Sequence, residues 1–264
     1  MPYRIDVRAA AGDALDRLVE LGAIDAEVTR EGGVAALMPD TVAPEQIARQ
    51  LGVGDVSVSR ASGRDDGSVW VLNLRPIRIG RLRIVPTDAE GETDALRLLD
   101  GAAFGTGLHP TTALCLQALE HAIPTLRPDA VLDVGTGSGV LALAALMLGV
   151  PRALGIDTDE EALRVAEANA RINGLVDRLQ LRRGGPEAVT GQWPLVVANV
   201  LAAPLIELAP TLVRRVGHHG QLVLSGIASS LEQEVDRAYR RLGMQRLGAA
   251  SRGGWVALVL QATW

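Results

Sequence analysis

The chain has 264 residues, 48% hydrophobic and 22% charged, which is ample apolar material for a globular core and a length of one to two domains. A net charge of −5 argues against a broad phosphate-binding surface, and one Phe, two Tyr and four Trp leave few stacking platforms, so direct nucleic-acid binding is not expected. A single cysteine, Cys115, excludes an intramolecular disulfide and fits a reducing cytoplasm.

From the N-terminus, Tyr3 to Arg8 alternates apolar and polar residues as a half-buried strand does, with no basic-then-apolar leader. Leu15, Leu18, Val19 and Leu21 then fall at helical spacing within Asp13 to Leu21. Glu27 to Arg30 and Val34 to Met38 flank Gly32-Gly33 as a hairpin; Pro44 opens a helix to Leu51, and Val56 to Ser59 closes the set as a strand. The order β-α-β-β-α-β predicts a small α+β, ferredoxin-like domain over residues 1–60. It carries no cluster of His, Cys or carboxylates, so a recognition or scaffolding role is expected of it. Residues 61–93 read as a linker: Ala61 to Ser68 is rich in Gly, Ser, Asp and Arg, and Val69 to Leu74 and Arg81 to Val85 are short strands about a turn at Ile79-Gly80.

From residue 94 to 264, predicted helices and strands alternate: helix Thr111 to Ala122, strand Ala130 to Val134, helix Val140 to Leu148, strand Ala153 to Asp157, helix Glu160 to Ile172 and strands Leu179 to Leu181 and Leu195 to Ala198. Helix Ala203 to Val216, strand Gln221 to Ser225, helix Ser229 to Leu242 and strand Gly254 to Leu260 complete the set. This predicts an α/β domain with a mostly parallel sheet covered on both faces. The longest apolar stretch, around Val140 to Val150, is too short to span a bilayer.

The informative stretch is Val131 to Gly139, Val-Leu-Asp-Val-Gly-Thr-Gly-Ser-Gly, where an apolar run stops at alternating glycines and resumes with helical composition. A strand, a tight turn and a helix N-terminus leave backbone N–H groups for a polar or anionic ligand group. Gly135, Gly137 and Gly139 are spaced more tightly than the dinucleotide fingerprint, which would need its third glycine at Val140. S-Adenosylmethionine enzymes commonly use this tighter form, whereas an NAD-dependent oxidoreductase is disfavoured by it. Asp133 sits within the run, and Asp157 ends the next strand about 20 residues on, where a carboxylate can accept both hydroxyls of a ribose or, more simply, cap the following helix.

Upstream, Phe104-Gly105-Thr106-Gly107-Leu108-His109-Pro110-Thr111-Thr112 contains the only Phe and leads into a helix expected to be capped by Thr111. Such a loop could fold over a ligand or serve only as a connector. His109 has no partners at metal-ligand spacing, so no metal is expected. Asn199 closes the strand that chain order puts beside the first one, where its amide offers an acceptor to an amine or simply makes a turn. Asn199-Val200-Leu201-Ala202 lacks the Pro-Pro-aromatic continuation that accompanies methylation of a base amino group.

Ala103 to Thr112, Val131 to Gly139, Gly155 to Asp159 and Val197 to Leu201, in this order, resemble the PrmA family, bacterial methyltransferases of large-subunit ribosomal protein eleven. Arg75-Pro76-Ile77-Arg78-Ile79-Gly80 also resembles that family's linker. The resemblance covers most of residues 94–264 and departs from the family at Asp100-Gly101-Ala102, where a Pro is usual, and in a linker whose aromatics are reduced to Trp70. It implies a class I S-adenosylmethionine-dependent (Rossmann-like) methyltransferase domain preceded by a ferredoxin-like substrate-recognition domain. Cofactor contacts would fall on Thr112, Gly135, Asp157 and Asn199, with Phe104, Gly105, Thr106, Asp133 and Gly137 completing the candidate site. The implied reaction is methylation of lysine, and N-terminal, amines of ribosomal protein eleven by a cytoplasmic monomer without membrane contact. Asn199 is the candidate acceptor for the attacking amine, with His109 second. A lysine of another protein, such as the beta subunit of electron-transfer flavoprotein, or a small molecule is the alternative substrate.

Overall fold

The computed structural model describes residues 3–7, 14, 17–18, 21–23, 25–28, 33–38, 42–52, 56–60, 76–89, 91, 94–99, 109–252 and 254–264. The chain divides into two compact units, residues 1–73 with 100–102, and residues 74–99 with 103–264. The predicted strand Val69 to Leu74 lies outside the described residues.

In the smaller unit, β1 (Tyr3–Val7), β2 (Asp25–Val28), β3 (Val34–Met38) and β4 (Val56–Arg60) form an antiparallel sheet in the order β2-β3-β1-β4. β1 lies between β3 and β4, with Ile5 opposite both Ala36 and Val58. Helix α1 (Pro44–Leu51) starts with proline at its first turn, where the missing N–H costs nothing, and buries Ile47 and Leu51. Ala14 and Leu18, helical and four residues apart, are also buried, as one face of an amphipathic helix is. This strand order with two helices is the ferredoxin-like arrangement.

The larger unit begins with β5 (Ile77–Ile79), β6 (Leu82–Pro86) and β7 (Leu96–Leu98), in which β5 and β6 form a hairpin and β7 runs parallel to β6. Its main sheet has seven strands: β8 (Ala130–Val134), β9 (Arg152–Asp157), β10 (Leu179–Arg183), β11 (Trp193–Asn199), β12 (Val216–Ala228), β13 (Met244–Arg252) and β14 (Trp255–Ala262). The order is β10-β9-β8-β11-β12-β14-β13, parallel except for β14, which is antiparallel to both neighbours. Five helices cover it: α2 (Pro110–Leu126), α3 (Val140–Met147), α4 (Glu160–Ile172), α5 (Ala202–Arg215) and α6 (Glu232–Arg240).

Strand alternation sorts the core. Val131, Val197 and Val223 face one side and pack with Leu116, Leu119 and Leu143 of α2 and α3. Leu132, Val196 and Leu222 face the other and pack with Leu205, Val235 and Tyr239 of α5 and α6. α3 is buried along almost its whole length, which its uniform Val-Leu-Ala-Leu-Ala-Ala-Leu composition requires.

The last strand expected, Gly254 to Leu260, is the second arm of a hairpin whose first arm is β13. Met-Gln-Arg-Leu-Gly-Ala-Ala-Ser-Arg has no apolar alternation because β13 is an edge strand, exposed nearly throughout. β7, only three residues long, was equally illegible. Its edge is held by α4: Asn173 Oδ1 accepts the Arg97 N–H at 2.8 Å, and Asn169 Oδ1 accepts the Leu99 N–H at 2.8 Å.

Candidate functional site

β8 is flanked by β9 on one side and β11 on the other, so the sheet reverses its winding at β8 and opens a crevice beyond the carboxyl ends of these strands. The glycine turn fills the bottom of that crevice. Gly135, Gly137 and Gly139 have φ of +72°, +54° and +81°, a left-handed path that side chains with a Cβ rarely follow. A Cβ on Gly135 would also stand 2.7 Å from Val200 Cγ1, so the glycine keeps the backbone open toward the end of β11. The turn is held from beneath: the Gly135 and Thr136 N–H groups both donate to the Ile156 carbonyl at 2.9 Å, and Asn169 of α4 donates to the Ser138 carbonyl at 2.8 Å.

Asp157, at the end of β9, accepts the Gly137 N–H through Oδ2 at 2.9 Å and the Asp159 N–H through Oδ1 at 3.0 Å. It is only partly buried, so lone pairs remain for further donors. The helix cap is Asp159, whose Oδ1 accepts the Glu161 N–H at 2.9 Å. That frees Asp157 from the capping alternative and ties it to the turn.

Asp133 is fully buried on the α2 and α3 side of β8. Its Oδ2 accepts the Thr136 hydroxyl at 2.7 Å and the Ala142 N–H at 3.2 Å, while Oδ1 has no partner among the described residues. Burial pushes its pKa up to about 7, with the Asp157 charge adding to the rise and the two hydrogen bonds opposing it. Val197 pairs with Asp133, so Asn199, two residues further along β11, projects on the same face of the sheet. The Asn199 amide donates from Nδ2 to Thr112 Oγ1 at 3.3 Å, and its Oδ1 is buried without a partner among the described residues. Two acceptors, on adjacent strands and one face, are thus left without donors beside the turn. A ligand carrying donors or positive charge fits this set.

Thr112 is buried on the first turn of α2. The predicted cap at Thr111 is corrected: the helix begins at Pro110, and His109 caps it, its Nδ1 accepting the Thr111 N–H at 3.3 Å and pairing with Thr111 Oγ1 at 2.8 Å. Proline fits the first helical position, which moves the cap to the residue before it. Burial lowers the His109 pKa to about 4, so the imidazole is neutral at pH 7 with Nδ1 committed to the helix. Its ring meets Trp255 edge-on, centroids 5.2 Å apart.

The structure therefore brings Thr112, Asp133, Gly135, Gly137, Asp157 and Asn199 to one crevice, with His109 at the start of α2. Phe104, Gly105 and Thr106 lie outside the described residues. Sequence reasoning passed over Thr136, which ties the turn to Asp133, and over Asn169 and Trp255, which reach the turn and the α2 cap from elements remote in the chain. An Asn inside a helix and a Trp opening a strand carry no local sign of such a role.

The sequence matches the family described as ribosomal protein L11 methyltransferase (PrmA) over residues 19–263. A ribosomal protein L11 methyltransferase from Pelobacter propionicus is 41% identical over 210 residues, 76% of this chain and 68% of the relative. One from Syntrophotalea carbinolica is 38% identical over 254 residues, 89% and 83% of the two chains. Among solved structures, the ribosomal protein L11 methylase from Lactobacillus delbrueckii subsp. bulgaricus aligns with a TM-score of 0.67 at 34% identity, covering 72% of this chain and all of that one. A putative RNA methyltransferase from Pyrococcus horikoshii, 14% identical with a TM-score of 0.50 over 59% of this chain and 86% of that one, shares the fold alone. With nearly the whole chain matched and the crevice built from the residues that carried the resemblance, this chain belongs to the PrmA family of ribosomal protein L11 methyltransferases.

Proposed function

We propose that this chain transfers methyl groups from S-adenosylmethionine to lysine, and N-terminal, amines of ribosomal protein L11, acting as a cytoplasmic monomer. The observation that carries the reading is the pair of unpartnered acceptors, Asp133 Oδ1 and Asn199 Oδ1, beside a glycine turn already bonded to Asp157. The turn would receive the amino group of the cofactor's amino-acid end, because the Gly135, Thr136 and Gly137 N–H groups already have acceptors; Asp157 would receive its ribose hydroxyls, and Thr112 would hold the Asn199 amide in place. When bound, S-adenosylmethionine supplies an electrophilic methyl group that a neutral amine takes by direct displacement, leaving S-adenosylhomocysteine.

The protein's task is then to present a neutral amine. With a reference pKa near 10.4, freeing a lysine amine at pH 7 costs about 4.6 kcal/mol. A desolvated crevice next to a sulfonium lowers that cost, so orientation is needed more than a strong base. Asn199 Oδ1, buried without a partner among the described residues, would accept from the amine. His109 is better suited to positioning α2, because its Nδ1 accepts the Thr111 N–H.

The smaller unit, which contributes none of these residues, is the proposed recognition module. Among the described residues no helix is long and apolar enough to cross a membrane. The deciding experiment is incubation with methyl-labelled S-adenosylmethionine and an undermethylated lysate, followed by mass spectrometry. Label on L11 lysines is expected; label confined to another protein or to small molecules would overturn the substrate. A chain shortened to residue 69 onward, if folded, should bind the cofactor and lose methylation of intact L11.

A further inference from the structure

Asp133 has a feature that holding the glycine turn does not require. A buried carboxylate whose only task was to accept from Thr136 and Ala142 would gain from a donor on each oxygen, yet only Oδ2 is bonded. A proton on Oδ1 would therefore displace no hydrogen bond. Ionisation, in turn, strengthens both bonds at Oδ2 while leaving a charged oxygen without a donor. Burial favours the neutral acid and outweighs the two hydrogen bonds that favour the carboxylate, so the pKa is pushed up to about 7.

The titratable groups bearing on it among the described residues are Asp157 at the end of β9 and the Cys115 thiol of α2, neither of them a cation. α3, β8 and β11 bring no other titratable side chain. On α2, Glu120 is paired with Arg81, His121 lies beside it further along the helix, and His109 at the start is neutral. Among the described residues no cation is among the charges that bear on this carboxylate, and a cation on the glycine turn would bring one. The Thr136 hydroxyl that Asp133 holds belongs to the turn itself.

We propose that Asp133 is a positioning residue that couples cofactor binding to release of a proton: its carboxylate form holds the glycine turn in its binding shape and is favoured by the positive charge of S-adenosylmethionine seated there. This rests on the cofactor reading given above. The proton passes from Asp133 Oδ1 to buffer, and no covalent bond to the cofactor is involved. Affinity then falls with pH below the titration of free Asp133 and is level above it.

The test is calorimetric titration of the whole chain with S-adenosylmethionine between pH 6 and 8, in two buffers of different ionisation enthalpy, beside Asp133→Asn. The unmodified protein is expected to bind about eightfold more weakly at pH 6 than at pH 7.5, and to release up to about half a proton at pH 7. Asparagine matches the neutral acid in shape, so Asp133→Asn should lose most of the pH dependence and the associated proton release. Equal proton release in the variant would overturn the proposal, and so would binding of the unmodified protein with none. In both cases the cofactor reading stands, because binding itself is seen. If Asp133→Asn fails to fold, the two-buffer measurement on the unmodified protein still decides. Absence of S-adenosylmethionine binding at every pH would remove the cofactor reading and this proposal with it.

Discussion

The two ends of the seven-stranded sheet are built from similar residues and treat them oppositely. At the amino ends of the strands, Arg152 pairs with Asp129 at 3.0 Å, and Arg178 spends its guanidinium on the carbonyls of Leu146, Val150 and Pro151. The buried Trp193 indole N–H, unpartnered among the described residues, is the exception there. At the carboxyl ends the exceptions are acceptors, Asp133 Oδ1 and Asn199 Oδ1, and they stand together on one face. Buried polar atoms in a folded chain are nearly always satisfied, so a cluster of unsatisfied acceptors at one end marks where a ligand completes the bonding. The amino end is fastened by its own chain, whereas at the carboxyl end Asp133 Oδ1 and Asn199 Oδ1 have no donor among the described residues, and a cofactor and an amine would bring them.

The strongest way to break this contrast is Asp157→Ala. With a carboxylate that serves both the turn and a ribose, the loss in S-adenosylmethionine affinity should be about 2–4 kcal/mol, read by calorimetry. A change below about threefold would show that Asp157 only braces the turn. Next comes Asn199→Ala, expected to slow turnover on the order of tenfold or more while weakening cofactor binding less, because orienting the attacking nitrogen acts in the transition state. Single-turnover rates at saturating cofactor separate the two.

Asp133→Asn sharpens the contrast through stability of the cofactor-free protein. The folded pKa of Asp133 is raised, so its contribution to stability is present in full below the unfolded value near 3.8 and is lost as pH rises through about 7. The variant should therefore be more stable than the unmodified protein at pH 8, by up to about 4 kcal/mol, with the gain gone by pH 4, as followed by thermal unfolding. The smallest effect belongs to the other end of the sheet. Arg152→Ala removes a pair in which both side chains are about 70% exposed, so stability should change by less than about 0.5 kcal/mol and cofactor affinity not at all.

Much of this was legible in the chain because it rests on local chemistry. A run of apolar residues ending in Gly135-Thr136-Gly137 can hardly be anything but strand, turn and helix, and the alternation after residue 94 requires a parallel sheet with two covered faces. The hairpin of β13 and β14 was half missed, since an exposed edge strand needs no apolar period. The helix cap was misplaced by two residues, from Thr111 to His109, because Pro110 sets the first turn and its effect reaches backward.

The sequence by itself determined the class of fold, the glycine turn and the residue types around it, since hydrophobic period, glycine spacing and chain order are properties of neighbouring residues. Only the tertiary structure decided what those residues do to one another. Asp133 and Asn199 stand 66 positions apart and share a face because β11 pairs with β8 in the register that sets Val197 against Asp133. Asn169 reaches the turn from α4, and Trp255 meets His109 from the far end of the chain. Whether a carboxylate is an exposed brace or a buried group balanced near neutrality depends on how much water surrounds it and which donors face it. Packing of remote segments sets both, and no local pattern encodes it.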